Sequence, residues 1–248
     1  MVVELFIPAR FASKRLPGKP LADIGGRPMI QWVYERASKA ALADKVTVAT
    51  DDERIYEVVK GFGGSVVMTG EHSSGTGRVA EAVLITKSKA DIIVNVQGDE
   101  PLIEPATIDA AIRPMLDDST LQVATLKTPL TDADELNDPN AVKVVTDKEG
   151  FALYFSRSRI PYSNTDDNFK AAAPFKHIGL YVYRAGFLKT FSALDSTPLE
   201  LSEGLEQLRV LENGYRIKVI ETATNPISID TEEDLLRVRR LAATLQGE

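Results

Sequence analysis

Short apolar runs alternate with amphipathic segments through the first half of the chain. The apolar runs have the length of buried strands, and they lie at residues 2–7, 46–49, 65–68 and 91–96. The segments between them place apolar residues at helical spacing, at residues 29–41, 53–60 and 78–86. This alternation predicts an α/β fold, a mostly parallel sheet with helices on both faces.

After about residue 117 the pattern becomes one of closely spaced strands. We predict strands at residues 122–128, 141–146, 151–155, 177–183, 215–221 and 227–229. Helices are predicted at 203–211 and from Thr231 to about residue 245, a loop at 163–174, and a hairpin turn at 147–150. We therefore expect one α/β domain over 1–248, in which a parallel half (about 1–117) precedes a smaller mixed-sheet subdomain (about 118–248). The second half would suit a second substrate and a dimer contact.

Composition excludes several classes of protein. The net charge of −7, from 29 basic and 36 acidic residues, argues against a general binder of nucleic acid or anionic membranes. The absence of cysteine excludes disulfides, thiol catalysis and zinc–thiolate sites. No stretch approaches the roughly 20 apolar residues that span a bilayer, and the N-terminus lacks the pattern of a signal peptide. We expect a cytoplasmic protein.

The first strand leads into a basic loop. Arg10, Lys14, Arg15 and Lys19 lie within ten residues, and Pro17-Gly18 prevent a simple helix there. A loop at the carboxyl end of a first parallel strand is where open α/β sheets place their ligand. Clustered cations in that place favour a polyanion such as a nucleotide phosphate. The alternative is a solvated basic turn.

This loop fits neither of the common glycine-rich phosphate motifs. A Walker A motif needs glycine where this chain has Ser13, and Ser or Thr where it has Pro20. The Gly-x-Gly-x-x-Gly dinucleotide fingerprint is also absent. The loop must therefore depend on cationic side chains more than on backbone amides.

Two aspartates, Asp99 and Asp230, stand just after apolar runs. Carboxylates at strand ends beside a phosphate loop can hold Mg²⁺, which takes one or two carboxylates together with phosphate oxygens and water. For Asp230 a helix N-cap is an equally good interpretation. Asp132 and Asp134 form a D-x-D pattern typical of glycosyltransferases, but an acidic surface helix explains that pattern better. His72 and His177 are the only histidines, and no Ser-His-Asp arrangement is visible.

Six segments in order carry a family resemblance. They lie at residues 8–21 (Pro-Ala-Arg-Phe-Ala-Ser-Lys-Arg-Leu-Pro-Gly-Lys-Pro-Leu), 49–51, 74–76, 95–101 (Asn-Val-Gln-Gly-Asp-Glu-Pro), 154–157 and 205–209. Together they closely resemble the 3-deoxy-manno-octulosonate cytidylyltransferases, the CMP-Kdo synthetases of lipopolysaccharide synthesis. The resemblance covers essentially the whole chain. It implies a Rossmann-like nucleotide-diphospho-sugar transferase sheet with a nucleotide-binding first half, a sugar-binding and dimerisation second half, and a homodimer.

The resemblance also implies a reaction and its residues. CTP and the octulosonic acid would give the CMP-sugar and pyrophosphate, with Mg²⁺ held by Asp99 and Asp230 and with Lys19 as a catalytic cation. The nucleotide would be bound by Pro8, Ala9, Arg10, Arg15, Lys19, Ala49, Asp51, Ser74, Gly75, Thr76 and Arg78. The sugar would be bound by Gln97, Arg157, His177, Tyr181, Glu206 and Gln207. From the residues alone, core hydrogen bonding for His177 and a solvated helix face for Glu206 and Gln207 are the simpler interpretations.

One position departs from the family pattern. The family often reads Ser-Gly-Thr-Glu-Arg where this chain has Gly77 between Thr76 and Arg78. Related synthetases act on sialic acid and on an 8-amino octulosonic acid, so the sugar stays open. Two other classes of function also stay open: a glycosyltransferase that uses a nucleotide-sugar donor, and a CTP-sensing regulator without turnover.

Overall fold

The computed structural model describes residues 1–12, 16–164 and 173–246. The strands are β1 Val3–Ala9, β2 Asp23–Ile24, β3 Arg27–Pro28, β4 Lys45–Thr50, β5 Val66–Met68, β6 Ile92–Asn95, β7 Val123–Pro129, β8 Lys143–Thr146, β9 Ala152–Ser156, β10 Phe175–Arg184 and β11 Ile217–Glu221. The helices are α1 Met29–Ala37, α2 Glu53–Gly61, α3 Gly75–Ile85, α4 Pro105–Asp117, α5 Ala133–Asn137, α6 Ala185–Ser192, α7 Pro198–Glu203, α8 Leu208–Glu212 and α9 Glu232–Gln246. A 3₁₀ turn covers Lys19–Leu21.

Nine of the described strands form one sheet, whose path runs β11-β7-β10-β6-β1-β4-β5, while β8 and β9 branch from β10. Strand β1 is parallel to both of its neighbours, β4 and β6. Strand β10 is antiparallel to β6 and β7, and the β8–β9 pair forms the predicted hairpin. The mostly parallel α/β sheet is therefore confirmed. Strands β2 and β3 form a separate two-stranded sheet.

Alternate side chains of the central strands belong to two different apolar clusters. In β1, Leu5 and Ile7 belong to one cluster, whereas Phe6 belongs to the other. Such alternation is what strands covered on both sides require. A third cluster packs the start of α9 and Ile229 against Trp32 and the β2–β3 hairpin. This packing brings the segment before α9 back to the carboxyl end of β6, where the amide of Ile229 donates to the carbonyl of Asp99 at 2.9 Å.

Several predicted elements are wrong or displaced. Residues 227–229 form no strand. The single helix predicted at 203–211 is wrong, because Gly204 has φ 62° and ends α7 while α8 begins at Leu208. Helix α3 begins at Gly75, since Ser74 caps it. Helices α4, α6 and α7 were not predicted, although prolines at the first positions of α4 and α7 are a helix-start signal.

The loop predicted at 163–174 lies mostly in residues 165–172, outside the described residues. In the part of the chain that is described, no helix is long and apolar enough to cross a membrane.

Candidate functional site

A cleft of about 470 Å³ opens at the carboxyl ends of β1 and β6. Open α/β sheets bind their ligands at this edge. The predicted residues that line the cleft are Pro8, Ala9, Arg10, Lys19, Ser74, Gly75, Arg78, Gln97, Asp99 and Asp230. Segments far apart in sequence thus meet in one concave site. The predicted nucleotide residue Arg15 lies outside the described residues.

Lys19 joins the two predicted metal carboxylates. Its Nζ donates to Asp99 Oδ2 at 2.8 Å and to Asp230 Oδ1 at 3.1 Å, and it also donates to the carbonyl of Ile229. Gly18, with φ 71°, turns the chain so that Lys19 begins the 3₁₀ turn that faces the cleft. A point cation is therefore held between two carboxylates at one end of the cleft.

Asp99 and Asp230 fit a divalent metal ion whose remaining ligands are oxygen atoms from outside the protein. Both carboxylates contact the ammonium group of Lys19, so a positive charge already lies between them. Within the described ranges no group of three or more His, Cys, Asp or Glu side chains is placed to hold a metal. Two carboxylates with phosphate oxygens are the usual environment of Mg²⁺ in nucleotide enzymes. These residues therefore fit a metal that enters with a nucleotide.

Asp230 does not act as the N-cap of α9. Thr231 has that position, because its Oγ1 accepts from the amide of Asp234 at 3.2 Å while the Asp234 carboxylate accepts from the amide of Thr231 at 2.9 Å. Burial raises the pKa of Asp234, but the Thr231 hydroxyl and the amides of Asp230 and Thr231, which all donate to its carboxylate, outweigh burial and lower that pKa. The Asp230 carboxylate is thus turned toward Lys19 in the cleft.

The start of α3 forms another wall of the cleft. Ser74 Oγ accepts from the amide of Gly77 at 3.1 Å, as an N-cap does. A Cβ atom at Gly75 would lie 3.3 Å from Pro8 Cγ, so glycine allows the helix to approach β1 closely. The N-terminal end of this helix, which favours negative charge, therefore borders the same cleft as Lys19.

Arg78 joins α3 to the end of β4. Its guanidinium donates to Asp51 Oδ2 and to Thr69 Oγ1, both at 2.6 Å, and its side chain is 3% exposed. Of the other predicted nucleotide residues, Ala49 is buried in β4, and Thr76 is buried and accepts from Asn95 Nδ2 at 3.4 Å. Arg78, which lines the cleft, is thus held in place by Asp51 and Thr69.

Five of the six predicted sugar residues, all except Gln97, are not among the residues that line the cleft. Gln97 lines the cleft and donates to the carbonyl of Gly179 in β10 at 2.9 Å. Glu206 accepts from Ser74 Oγ at 2.8 Å, so a predicted sugar residue contacts a predicted nucleotide residue. The solvated helix face is a wrong interpretation for Gln207, which is 6% exposed in the link between α7 and α8.

Arg157 is engaged with the backbone around it. Its guanidinium donates to the carbonyls of Glu203 at 2.8 Å and Pro139 at 2.9 Å, while its amide donates to the Glu203 carboxylate at 2.9 Å. The Nζ of the fully buried Lys143 donates to the carbonyl of Arg157 at 2.7 Å. The guanidinium has five N–H donors, so these bonds leave donors for a ligand.

His177 has the core hydrogen bond that the simpler interpretation predicted. Its Nε2 lies 2.9 Å from Thr125 Oγ1, and its ring lies between those of Phe155 and Tyr181, with centroids 5.0 and 5.4 Å away. Burial lowers the pKa of His177 to about 3. Burial also raises the pKa of Tyr181 well above its ordinary value, with the hydroxyl of Tyr183 and the charge of Glu206 adding to that shift. Both rings are therefore neutral hydrogen-bonding groups at pH 7.

Sequence reasoning gave no role to several residues near the cleft. Glu100 is 7% exposed, and its Oε2 has no hydrogen-bond partner among the residues that the structure describes. Burial, and then the charge of Asp99, raise the pKa of Glu100 to about 8. Its place directly after Asp99 was visible in the sequence, but its burial was not. Phe11 and Arg54, which contact each other next to the basic loop, were also missed.

The D-x-D pattern has the structure that the simpler interpretation predicted. Asp132 is the N-cap of α5, and its Oδ1 accepts from the amide of Asp134 at 2.8 Å. Neither residue lines the cleft described above. His72 lines the cleft, with Nε2 2.6 Å from Glu81 Oε2.

Comparisons with known proteins show the family of this chain. The cytidylyltransferase family model matches residues 5–219. The 3-deoxy-manno-octulosonate cytidylyltransferase of Syntrophotalea carbinolica is 55% identical over 245 residues, covering 96% of this chain and 97% of that protein. The protein of the same name from Geobacter metallireducens is 53% identical over 247 residues, covering 96% of each chain.

Solved structures give the same result. CMP:2-keto-3-deoxy-manno-octonic acid synthetase complexed with CTP superposes with a TM-score of 0.92 at 45% identity, covering 98% of this chain and 99% of that one. The 4-diphosphocytidyl-2C-methyl-D-erythritol synthase of Anaerococcus prevotii, at 12% identity and a TM-score of 0.63 with 98% and 96% covered, shares the fold. The chain therefore belongs to the cytidylyltransferase family and, within it, to the 3-deoxy-manno-octulosonate cytidylyltransferases.

Proposed function

We propose that this protein transfers the cytidylyl group of CTP to the anomeric 2-hydroxyl of 3-deoxy-manno-octulosonic acid and releases pyrophosphate, a step in lipopolysaccharide synthesis. The observation that carries the proposal is the convergence of Lys19, Asp99 and Asp230 in a cleft bordered by Arg10 and the N-terminus of α3. Cations and a helix N-terminus suit a triphosphate, and paired carboxylates suit the metal that accompanies it.

The contribution of this chain is to position the reactants and to neutralise charge. Arg10, Arg15 and Lys19 bind the triphosphate, so that negative charge spreading toward the pyrophosphate group is stabilised as the bond breaks. Mg²⁺, when bound, supplies a Lewis acid that polarises a phosphate oxygen. Asp99 and Asp230 are the residues that would hold that ion.

The nucleoside is placed by the wall formed by α3 and the end of β4. Ser74, Gly75 and Thr76 present the start of the helix, while the Arg78–Asp51 pair keeps the neighbouring strand end in place. Because Arg78 is fixed by Asp51 and Thr69 before any ligand arrives, little ordering entropy remains to be lost on binding.

The sugar is placed on the side of the cleft toward β10. Arg157 suits the sugar carboxylate, whereas Gln97, His177, Tyr181, Glu206 and Gln207 suit hydroxyl groups. The bond between Glu206 and Ser74 brings this set against the nucleotide wall. An 8-amino octulosonic acid would use the same groups, so it is the alternative substrate.

We also propose that the half from residue 118 onward forms a homodimer contact. Support comes from apolar side chains in that half with large exposed fractions, namely Leu153 at 62%, Tyr162 at 88% and Leu201 at 72%. Sedimentation equilibrium is the test, in which Leu201→Glu should shift the mass toward that of a monomer. Since CTP is a cytoplasmic nucleotide, we place the reaction in the cytoplasm.

The experiment that tests the proposed reaction follows pyrophosphate release from CTP with Mg²⁺ and a panel of ulosonic acids. We expect release with 3-deoxy-manno-octulosonic acid and formation of its CMP conjugate, detected by mass spectrometry. Higher kcat/KM with the 8-amino sugar would reassign the substrate. Nucleotide binding without pyrophosphate release for any sugar would favour a regulator, and release of a free nucleotide from a nucleotide-sugar would favour a glycosyltransferase.

A further inference from the structure

The aromatic ring of Phe11 lies at the beginning of the basic loop and packs onto its end. The amide of Gly18 donates to the carbonyl of Phe11 at 3.0 Å, which closes the loop. A Cβ atom at Gly18 would lie 3.1 Å from Phe11 Cε2 and Cζ. The ring therefore rests on the residue that directly precedes Lys19.

Arg54 covers this ring from α2. Its Cζ lies 3.3 Å from the centroid of the Phe11 ring, a close cation–π contact. Arg54 is 60% exposed and does not line the cleft. Its guanidinium thus contacts the loop through an aromatic ring and does not reach the site itself.

Asp52 fixes the position of Arg54. Its Oδ1 accepts from Arg54 Nε at 3.0 Å and its Oδ2 accepts from Arg54 Nη2 at 2.6 Å, a bidentate pair. Asp52 is also the N-cap of α2 and accepts from the amide of Arg54 at 3.0 Å. Contacts therefore run without a break from the start of α2 through Asp52, Arg54 and Phe11 to Gly18.

These contacts matter because the loop carries like charges. Arg10 and Lys19 lie on either side of the Phe11–Gly18 closure, and both line the cleft. Holding like charges close together in an ordered loop costs free energy. A contact outside the site can offset that cost before the ligand binds, so that less of it is subtracted from the binding free energy. Small displacements of a phosphate-binding cation reduce its effect in the transition state.

We propose that Arg54, acting through Phe11, is a positioning residue that holds Arg10 and Lys19, at the two described ends of the basic loop, in place to bind the triphosphate. This inference rests on the proposed use of CTP. Arg54 binds no substrate atom. Its contribution is to keep Arg10 and Lys19 in place relative to Asp99 and Asp230.

A double-mutant cycle with Phe11→Leu and Arg54→Gln tests the proposal. Phe11→Leu keeps apolar bulk but removes the π face, and Arg54→Gln removes the cation. We expect each to raise the KM for CTP about two- to fivefold, the size of an exposed cation–π contact, with the KM for the sugar and the melting temperature nearly unchanged. The double variant should be no worse than either single variant, and Phe11→Tyr, which keeps the ring, should resemble the wild type.

The chain offers a matched control. Arg216 Cζ lies 3.5 Å from the centroid of the Phe151 ring and Arg216 Nη2 lies 2.9 Å from Asp147 Oδ2, the same kind of contact away from the cleft. Arg216→Gln should leave both KM values unchanged.

The proposal would be overturned if the double variant raised the KM for CTP by the product of the two single-variant effects. A raised KM for CTP in Arg54→Gln with a wild-type value in Phe11→Leu would also overturn it, since Arg54 would then bind the phosphates directly. Unchanged kinetics in both single variants would do the same. A wild-type protein that does not turn over CTP would refute the proposed function. The positioning role of Arg54 would then still be tested by measuring CTP binding to the same variants by calorimetry.

Discussion

Gly77→Glu restores the residue that the family often has, and the structure allows its effect to be estimated. Gly77 is the third residue of α3, and its amide already donates to Ser74 Oγ at 3.1 Å. Replacing a helical glycine stabilises by about 1 kcal/mol. A carboxylate in the first turn adds ~0.3–1 kcal/mol, which includes the reciprocal bond to the amide of Ser74 in a capping box.

Two effects oppose this gain. A Cβ atom at position 77 would lie 3.1 Å from His72 Nδ1, so His72, whose Nε2 lies 2.6 Å from Glu81 Oε2, must shift by a few tenths of an ångström. Glu81 lies four residues after position 77, and like charges at that spacing destabilise by ~0.2–0.5 kcal/mol. The net gain is about 1 kcal/mol, which in a chain of this size raises the melting temperature by roughly 2–4 °C.

Differential scanning calorimetry of Gly77→Glu beside Gly77→Ala separates these contributions. The alanine variant carries the propensity gain and the contact with His72 but no carboxylate, so the difference between the two isolates the helix-end charge. We expect both to melt higher than the wild type, with Glu equal to or above Ala and an unchanged KM for CTP. A lower melting temperature in both variants would refute the estimate. A sharply raised KM for CTP in Gly77→Glu alone would show that glycine at this position serves the nucleotide.

Three further predictions concern the site. Lys19→Met should lower kcat/KM for CTP about ten- to a hundredfold, since each lost charge-assisted hydrogen bond is worth ~1.5–3 kcal/mol. The control is Lys60→Met, at an exposed position, which should have no effect. Steady-state kinetics with varied CTP measure both. Arg157→Ala should chiefly raise the KM for the sugar, because a site built to bond a carboxylate leaves groups unpaired without it; a change confined to the KM for CTP would contradict this. The wild type should lose stability as the pH falls below about 6.5, because unfolded His177 takes up a proton that the folded ring, with its pKa lowered to about 3, does not. Urea denaturation should show a loss of up to about 1.4 kcal/mol per pH unit from this residue, and a His177→Gln variant with the same slope would refute it.

The central sheet could be predicted from the sequence because each strand is a local signal. The runs that became β1, β4 and β6 are apolar enough for burial on both faces, and the hairpin between β8 and β9 has its own turn residues. Helix α3 begins earlier than the apolar pattern predicted, because Gly75 and Gly77 in its first turn weaken the helical signal.

The contacts between distant segments could not be predicted from local signals. The approach of Asp230 to Lys19 depends on packing of α9 against Trp32 and Ile24. The apolar run at 227–229 belongs to that packing, which explains why a strand was wrongly predicted there. The cation–π contact between Arg54 and Phe11 is likewise a tertiary contact without a motif.

The candidate site came from two sources. The clustered cations and the paired aspartates could be identified from the residues themselves. The sugar residues came from the family resemblance, because nothing local distinguishes Glu206 from a surface carboxylate. Its 2.8 Å contact with Ser74 is visible in the folded chain alone.

We propose that Lys19, Asp99 and Asp230 form the catalytic end of the cleft. The decisive measurement is the turnover of Asp99→Asn relative to the wild type, followed as pyrophosphate release at saturating CTP, sugar and Mg²⁺. We expect a loss of several orders of magnitude at an unchanged melting temperature, because the amide keeps the shape of the side chain but loses the charge that holds a metal. Turnover within a fewfold of the wild type would show that Asp99 holds no metal that the reaction needs.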